Sequence, residues 1–267
     1  MLVKKIFSKQ NRALLRELVV TDFKLRYQGS VLGYMWSLLK PLLMFVILYT
    51  VFVRFLKIGG SIPHYPVYLL LGIVMWNFFT EMAGLSLGSI VGRGDLIRKI
   101  RISRWIIVVS SSLTALINFA LNLLVVGILM AVNHVDLLHT GLLLPLIFIE
   151  VYLFSLGISL LLAALYVKFR DINHIWDVCI QALFYLTPIL YPLSLITNPT
   201  LQKIILLNPM AQAIQDARYV VVTHQTITLH HVTNLGLTLI PFVLVALVLV
   251  SGVLYFKREA KYFAENI

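Results

Sequence analysis

Two carboxylates sit where carboxylates are costly: Glu81 and Glu150 each fall inside an apolar stretch long enough to be a membrane helix. Either could line a hydrated path, or be protonated and hydrogen-bonded between helices, and the sequence shows no partner for either. Ser110, Thr114, Asn118 and Asn122 recur every four residues, so a helix carrying them presents one polar stripe. Such a stripe serves either as interhelical hydrogen-bonding glue or as a channel lining. Gly84, Gly88 and Gly92 form a small-residue ridge and predict close helix packing. Near the N-terminus, Lys40 lies one turn inside an apolar block, where its long stem can run back toward headgroups and hold the ammonium near phosphate oxygens. Arg26 offers a planar fork that suits phosphate in two places at once, with Tyr34 and Trp36 close by in sequence. Anchoring to ordinary anionic lipid, with an interfacial aromatic belt, explains the same four residues.

Other chemistries lack their residues. There is no G-x-x-x-x-G-K-[ST], no H-E-x-x-H and no G-x-S-x-G, hence no recognisable nucleotide site, zinc site or serine nucleophile, and no catalytic residue is assigned. Cys179 is the single cysteine, which removes an intrachain disulfide and a cysteine-based metal site. His224, His230 and His231 have no cysteine or carboxylate at ligand spacing and read as solvated loop residues, so no metal is expected. Any work the chain does draws its energy from elsewhere.

The elements that must hold these residues are membrane helices. Of 267 residues, 60% are hydrophobic and 12% charged, against about a quarter charged in soluble domains, and the mean hydropathy is +0.93. Six blocks, at about 36–56, 66–90, 105–132, 141–167, 175–195 and 235–256, approach the roughly 20 residues that cross a bilayer core. The expectation is an all-α integral membrane protein, a single transmembrane domain over 1–267. The fifth block is the weakest, because it holds Asp177, Pro188 and Pro192. Residues 201–222, broken at Asn208-Pro209, predict short re-entrant or interfacial helices rather than further spans. Residues 10–28 read as an amphipathic helix lying along the inner interface.

Orientation follows from charge. With both termini in the cytoplasm, 18 of the 22 lysines and arginines fall inside and 4 outside. The net charge of +11 therefore reads as a topology signal and not as a nucleic-acid surface. No compact apolar core with a small-residue cleavage site opens the chain, so the first span itself directs insertion. Between the second and third spans, Asp95–Arg104 predicts a short inward-facing helix in which Leu96, Ile97 and Ile100 alternate with Arg98 and Arg101. It is either a plain positive-inside loop or a set of apolar anchors offered to a cytoplasmic partner.

Five segments, in order, resemble one family: LRELVVTDFKLRYQGSVLGYMWSLLKPL at Leu15–Leu42, LLGIVMWNFF at Leu70–Phe79, KFRDI at Lys168–Ile172, LTPILYP at Leu186–Pro192 and LLNPMAQAIQDAR at Leu206–Arg218. The chain is similar to permease subunits of ABC exporters for bacterial cell-surface polysaccharides, covering teichoic acids, O-antigens, capsules and rhamnose-rich wall glycans. The first segment is most similar to permeases of Gram-positive wall polysaccharide exporters. The resemblance implies a homodimer in the bacterial inner membrane, joined to two separate ATPase subunits that bind ATP and Mg. It also implies a lipid-linked polysaccharide passing between the two permeases. Asp95, Leu96, Ile97, Arg98, Ile100 and Arg101 would then form the coupling helix on the ATPase, and 201–222 the outer gate. The phosphate-bearing lipid head would meet Arg26, Tyr34, Trp36 and Lys40, and Phe184, Tyr185 and Tyr191 would stack on sugars. An ion-coupled secondary transporter using Glu81 or Glu150, and a membrane-embedded glycan-modifying enzyme, are the alternatives. The second would need a catalytic pair or metal motif that the sequence does not contain.

Overall fold

The computed structural model describes residues 9–57, 62–99, 103–136 and 139–266, and every regular element among them is helical. Helix α1 (Lys9–Tyr27) precedes α2 (Trp36–Tyr49), which continues through a π-helical stretch at Thr50–Phe55. The central elements are α3 (Tyr65–Leu87), the short α4 (Gly94–Lys99), α5 (Trp105–Val132) and α6 (Leu144–Lys168). They are followed by α7 (Ile172–Leu186), α8 (Pro199–Leu206), α9 (Pro209–Val221), α10 (Leu229–Val232), α11 (Leu235–Thr238), α12 (Ile240–Glu259) and α13 (Phe263–Asn266).

Helix α3 buries most of its side chains and is the axis of the bundle, with Asn77, Thr80 and Glu81 as its polar patch. Its side chains from Tyr65 to Met82 join the main core with Phe119 and Val126 of α5, Val151 of α6, and Met210 and Ile214 of α9. A second core unites Ile97 of α4, Ile107 of α5, Leu160 of α6, Phe256 of α12 and Phe263 of α13. By contrast α2 buries only Pro41 and exposes its apolar surface along its length, as a helix bathed in lipid does.

Five helical stretches among the described residues are long and apolar enough to cross a membrane: Gly33–Phe55, Tyr65–Leu87, Trp105–Val132, His139–Lys168 and Gly236–Glu259. The block at 175–195 does not join them. Its helix, α7, has 15 residues, roughly 22 Å at 1.5 Å per residue against a core of about 30 Å. The reason is local, since Thr187 precedes Pro188 and takes φ −88°, ψ 132°, the extended geometry a following proline favours. Residues 201–222 do divide at Asn208-Pro209. Asn198 and Asn208 cap α8 and α9 by accepting from the backbone N–H of Thr200 at 2.9 Å and of Met210 at 3.0 Å, each with proline at the next position.

Close packing of small residues occurs, but not where the ridge predicted. A Cβ placed at Gly84, Gly88 or Gly92 would meet nothing within 4 Å, because that face of the chain borders open space. Gly157 of α6 and Gly252 of α12 are the contact pair instead. A Cβ on Gly157 would lie 2.8 Å from the Leu249 Cα, and one on Gly252 would collide with the Gly157 carbonyl oxygen.

Candidate functional site

The open space beside Gly84 is a cavity of about 640 Å³ bounded by the end of α1, the start of α2, the later half of α3 and the middle of α5. Arg26, Trp36 and Lys40 all line it, so three of the four N-terminal candidates meet in one place. They meet Glu81, Asn118 and Asn122 there. Arg26 donates from Nη1 to Glu81 Oε1 in an ion pair, and Asn118 Nδ2 donates to the same oxygen at 2.6 Å. Glu81 thus has the partners that its sequence context left open, and a role in ion coupling is not needed to explain it. Asn118 Oδ1 is buried and has no hydrogen-bond partner, which leaves an acceptor for a hydroxyl or N–H entering the cavity. Asn122 donates to the carbonyls of Asn118 at 2.8 Å and Ser37 at 3.2 Å, tying α2 to α5.

The polar stripe of α5 divides between its two readings. Ser110 and Thr114 are turned back on their own helix, donating to the carbonyls of Ile107 at 2.7 Å and Ser110 at 3.0 Å, while Asn118 and Asn122 line the cavity. Lys40 is exposed and has no carboxylate partner among the described residues, so it is the cation best placed to meet an incoming anion. Tyr34 lies outside this cavity, with its ring 5.2 Å from that of Phe23, in a neighbouring cleft that also involves Lys24 and Gln28.

The loop after α3 is tied to α1 as well. Arg93 donates from Nη2 to both carboxylate oxygens of Asp22, and from Nη1 to Ser110 Oγ at 3.4 Å. Just beyond it, α4 exposes Asp95 and Arg98 and leaves Leu96 partly exposed. Ile97 is 8% exposed and packs into the chain's own second core, so it fastens α4 to the bundle and leaves Leu96 as the apolar anchor on the open side. Ile100 and Arg101 lie outside the described residues. The aromatic group forms its own cluster: Phe184 packs 5.9 Å from Trp76 and 5.4 Å from Tyr185, and Tyr191 OH donates to the Tyr185 carbonyl at 3.2 Å. Tyr185 is 71% exposed, and none of the three reaches the cavity around Lys40.

Arg218, which the charge count puts among four outer cations and which ends the segment Leu206–Arg218, is the largest fully buried side chain among the described residues. Its Nε donates to the Tyr68 carbonyl at 3.0 Å, Nη2 to Ile189 at 2.7 Å, and Nη1 to Pro188 at 2.6 Å and to Gln215 Oε1 at 3.0 Å. Its guanidinium also sits over the Tyr68 ring, 3.7 Å from the centroid. Burial pulls the guanidinium below its ordinary pKa, and the tyrosines beside it oppose that pull. Gly72 makes the room, because a Cβ there would collide with Nη2. One side chain therefore clamps α3, α9 and the Pro188-Ile189 turn. Beside the clamp, Gln212 Nε2 donates to Asp216 Oδ2 and bridges toward Glu150 of α6. Burial pushes Asp216 up to about 6, opposed by the Gln212 hydrogen bond and His230. The outer histidines serve as packing groups: His224 stacks on Tyr219 at 4.7 Å, and His231 Nδ1 closes a capping box with Thr228.

Five long apolar helices among the described residues, a polar cavity toward one end of α3 and the Arg218 clamp toward the other describe a multi-pass membrane protein. The profile of the ABC-2 type transporter family matches residues 13–222, and the chain belongs to that family. It is similar to the O-antigen export system permease protein RfbA of Myxococcus xanthus, 34% identical over 231 residues that cover 84% of this chain and 85% of that protein. It is also similar to two proteins of the same description from Klebsiella pneumoniae. One is 30% identical over 244 residues, covering 87% of this chain and 92% of the relative, and the other 32% identical over 211 residues, covering 77% and 80%. The chain is accordingly a transporter membrane subunit and not an enzyme, with ATP hydrolysis in a separate subunit.

Proposed function

We propose that this chain is the permease of an ATP-driven exporter that moves a lipid-linked polysaccharide from the cytoplasm to the outer face of the bacterial plasma membrane. The O-antigen permeases to which it is similar support the polysaccharide. The observation that carries the lipid-linked part is the cavity around Lys40: an unpaired cation, a paired one and an unpartnered Asn118 acceptor at the foot of α2. A phosphate-bearing head needs the first two, and the hydroxyls of the adjoining sugar need the third. Two permeases would join as a homodimer, two ATPase subunits binding ATP and Mg would dock on Asp95–Arg104, and both termini would face the cytoplasm. Helix α7 and the turn after it would complete a sixth, thinner crossing, with 201–222 as the outer gate.

The test is reconstitution of the permease with its ATPase and titration with a phosphate-bearing lipid-linked oligosaccharide. Lys40→Gln is expected to weaken the stimulation of hydrolysis about tenfold, the loss of one charge-assisted contact, while complex assembly persists. A titration curve identical to that of the unaltered protein would move head-group recognition away from this cavity.

A further inference from the structure

Toward the opposite end of α3 lies a smaller cavity of about 210 Å³, enclosed between Pro192–Ser194 and the segment from Thr223 to Ile227. Its polar lining among the described residues is neutral: Tyr68, Ser194, Gln215, Thr223, Gln225 and Thr226 supply hydroxyls and amides, and no described lysine, arginine, aspartate or glutamate lines it. The nearby Arg218 is fully buried outside the lining, with four of its five N–H groups bonded to carbonyls and to Gln215, so it is not presented to an entering anion.

The walls are fixed. Tyr68 OH donates to Gln215 Oε1 at 3.3 Å, Gln215 Nε2 donates to the Ile227 carbonyl at 3.3 Å, and Thr223 Oγ1 accepts from the Gln225 backbone N–H at 3.3 Å. One group is left over. Thr226 is 6% exposed and its Oγ1 has no hydrogen-bond partner, although a buried hydroxyl ordinarily finds one. Ser194 and Gln225 stand exposed at the mouth, and Ile62, Pro192, Leu193 and Ile227 give apolar walls. The volume equals roughly seven waters at about 30 Å³ each, smaller than the roughly 300–1,000 Å³ of drug-sized pockets.

We propose that this cavity is a sugar subsite that takes one uncharged sugar ring, its hydroxyls bonded to Thr226, Gln225 and Ser194 and its C–H face against the apolar walls. A ring with a polar edge and an apolar face matches this lining, and an anionic headgroup does not. The assignment rests on the exporter reading only for the source of the sugar, which is the emerging glycan. The stretch from Tyr68 to Glu81 spans roughly 20 Å of helix, so this subsite and the Lys40 cavity would touch different parts of one polymer.

The experiment is saturation-transfer NMR on the full-length permease in nanodiscs, with neutral methyl glycosides and, in parallel, methyl glucuronide and glucose 1-phosphate. Neutral glycosides are expected to give signals that fall about tenfold in Thr226→Val, the loss of one hydrogen bond, and that survive in Thr226→Ser and in Lys40→Gln. Signals of equal strength in the unaltered protein and in Thr226→Val, or signals from the charged probes alone, would overturn the proposal. Absence of any glycoside signal would overturn it too. No ATPase is present, so failure here leaves the exporter reading standing. Loss of that reading would show instead as unchanged surface polysaccharide in cells lacking the permease.

Discussion

Arg26 and Arg218 are bound toward opposite ends of the same helix, and the protein treats the two charges in opposite ways. Arg26 is 37% exposed at a cavity rim and forms an ion pair with Glu81. Arg218 is wholly buried with no carboxylate among its described partners, four of its five N–H groups bonded to three backbone carbonyls and an amide, and its face covered by Tyr68. An ion pair at a wet rim is worth little and exchanges readily. A buried cation held by carbonyls cannot leave without stranding them. The first arrangement suits a site that must accept and release an anion, and the second suits a joint that must hold while the rest moves.

The contrast breaks first on stability. Arg218→Met removes the cation and orphans the carbonyls of Tyr68, Pro188 and Ile189, so a loss on the order of 3 kcal/mol or more is expected. Arg26→Met is expected to cost about 1 kcal/mol. Thermal unfolding of both variants in the same detergent measures this, and equal losses would erase the distinction. Gly72→Val should act as Arg218→Met does, since its side chain would occupy the place of the guanidinium.

Glu81→Gln sharpens the comparison from the other side. It removes the carboxylate's charge from beside Arg26 and Lys40, so the cavity should bind a phosphate head more tightly. Half-maximal stimulation of the ATPase is then expected at about tenfold lower lipid-linked oligosaccharide. An unchanged midpoint would mean that Arg26 does not reach the ligand.

A smaller effect is expected from pH. Asp216, beside the clamp, has its pKa raised by burial from 3.8 to about 6. A carboxyl whose folded value is raised favours the folded state when protonated, so its contribution is full below about pH 4 and is lost as pH rises through 6. The change amounts to at most about 3 kcal/mol. The melting temperature should therefore fall between pH 4 and pH 6, and less steeply in Asp216→Asn. Glu150 shares this environment, so a residual slope in the variant reports on it.

The sequence reading reached some of this and missed some for definable reasons. Helices at 105–132 and 141–167 were legible because long apolar runs leave no other structure for a backbone in lipid. The meeting of Arg26, Trp36 and Lys40 was foreseen from charge and aromatic placement, but the carboxylate that neutralises Arg26 lies 55 residues away and has no local signature. The glycines at 84, 88 and 92 have the right spacing for helix packing, yet spacing names a face without naming its neighbour. Arg218 was hidden more thoroughly, since a charge count assigns it a side of the membrane and says nothing of burial. The one local hint was Gly72, which permits the approach, and only tertiary structure pairs the two. At 175–195 the prolines were visible, and Thr187-Pro188 ends α7 for the reason they suggested.

The smallest expected effect concerns how the C-terminal part of α1 is joined to the bundle. Asp22 and Arg26 are four residues apart on α1 and so share one face of it, the first bound to Arg93 and the second to Glu81. Arg93 immediately precedes α4, the segment proposed to dock on the ATPase, whereas Glu81 lines the cavity. Helix α1 therefore bridges the docking loop and the proposed head-group site through two ion pairs on one stripe, and it does not touch the clamp. Arg93→Gln is expected to change stability by less than about 1 kcal/mol, because the pair is partly solvated. It should nevertheless reduce lipid-stimulated hydrolysis about two- to threefold, a coupling of the usual size for linked sites. The charge-swapped double variant Asp22→Arg with Arg93→Asp restores the pair and should restore most of the stimulation. Glycoside binding in the cavity at the start of α3 should be unaffected in both, since its walls hang on Arg218 and Gln215. Rescue absent in the swap, with Asp22→Arg and Arg93→Asp each impaired alone, would show that α1 is set in place by its apolar face, and that the docking loop reaches the cavity by another route.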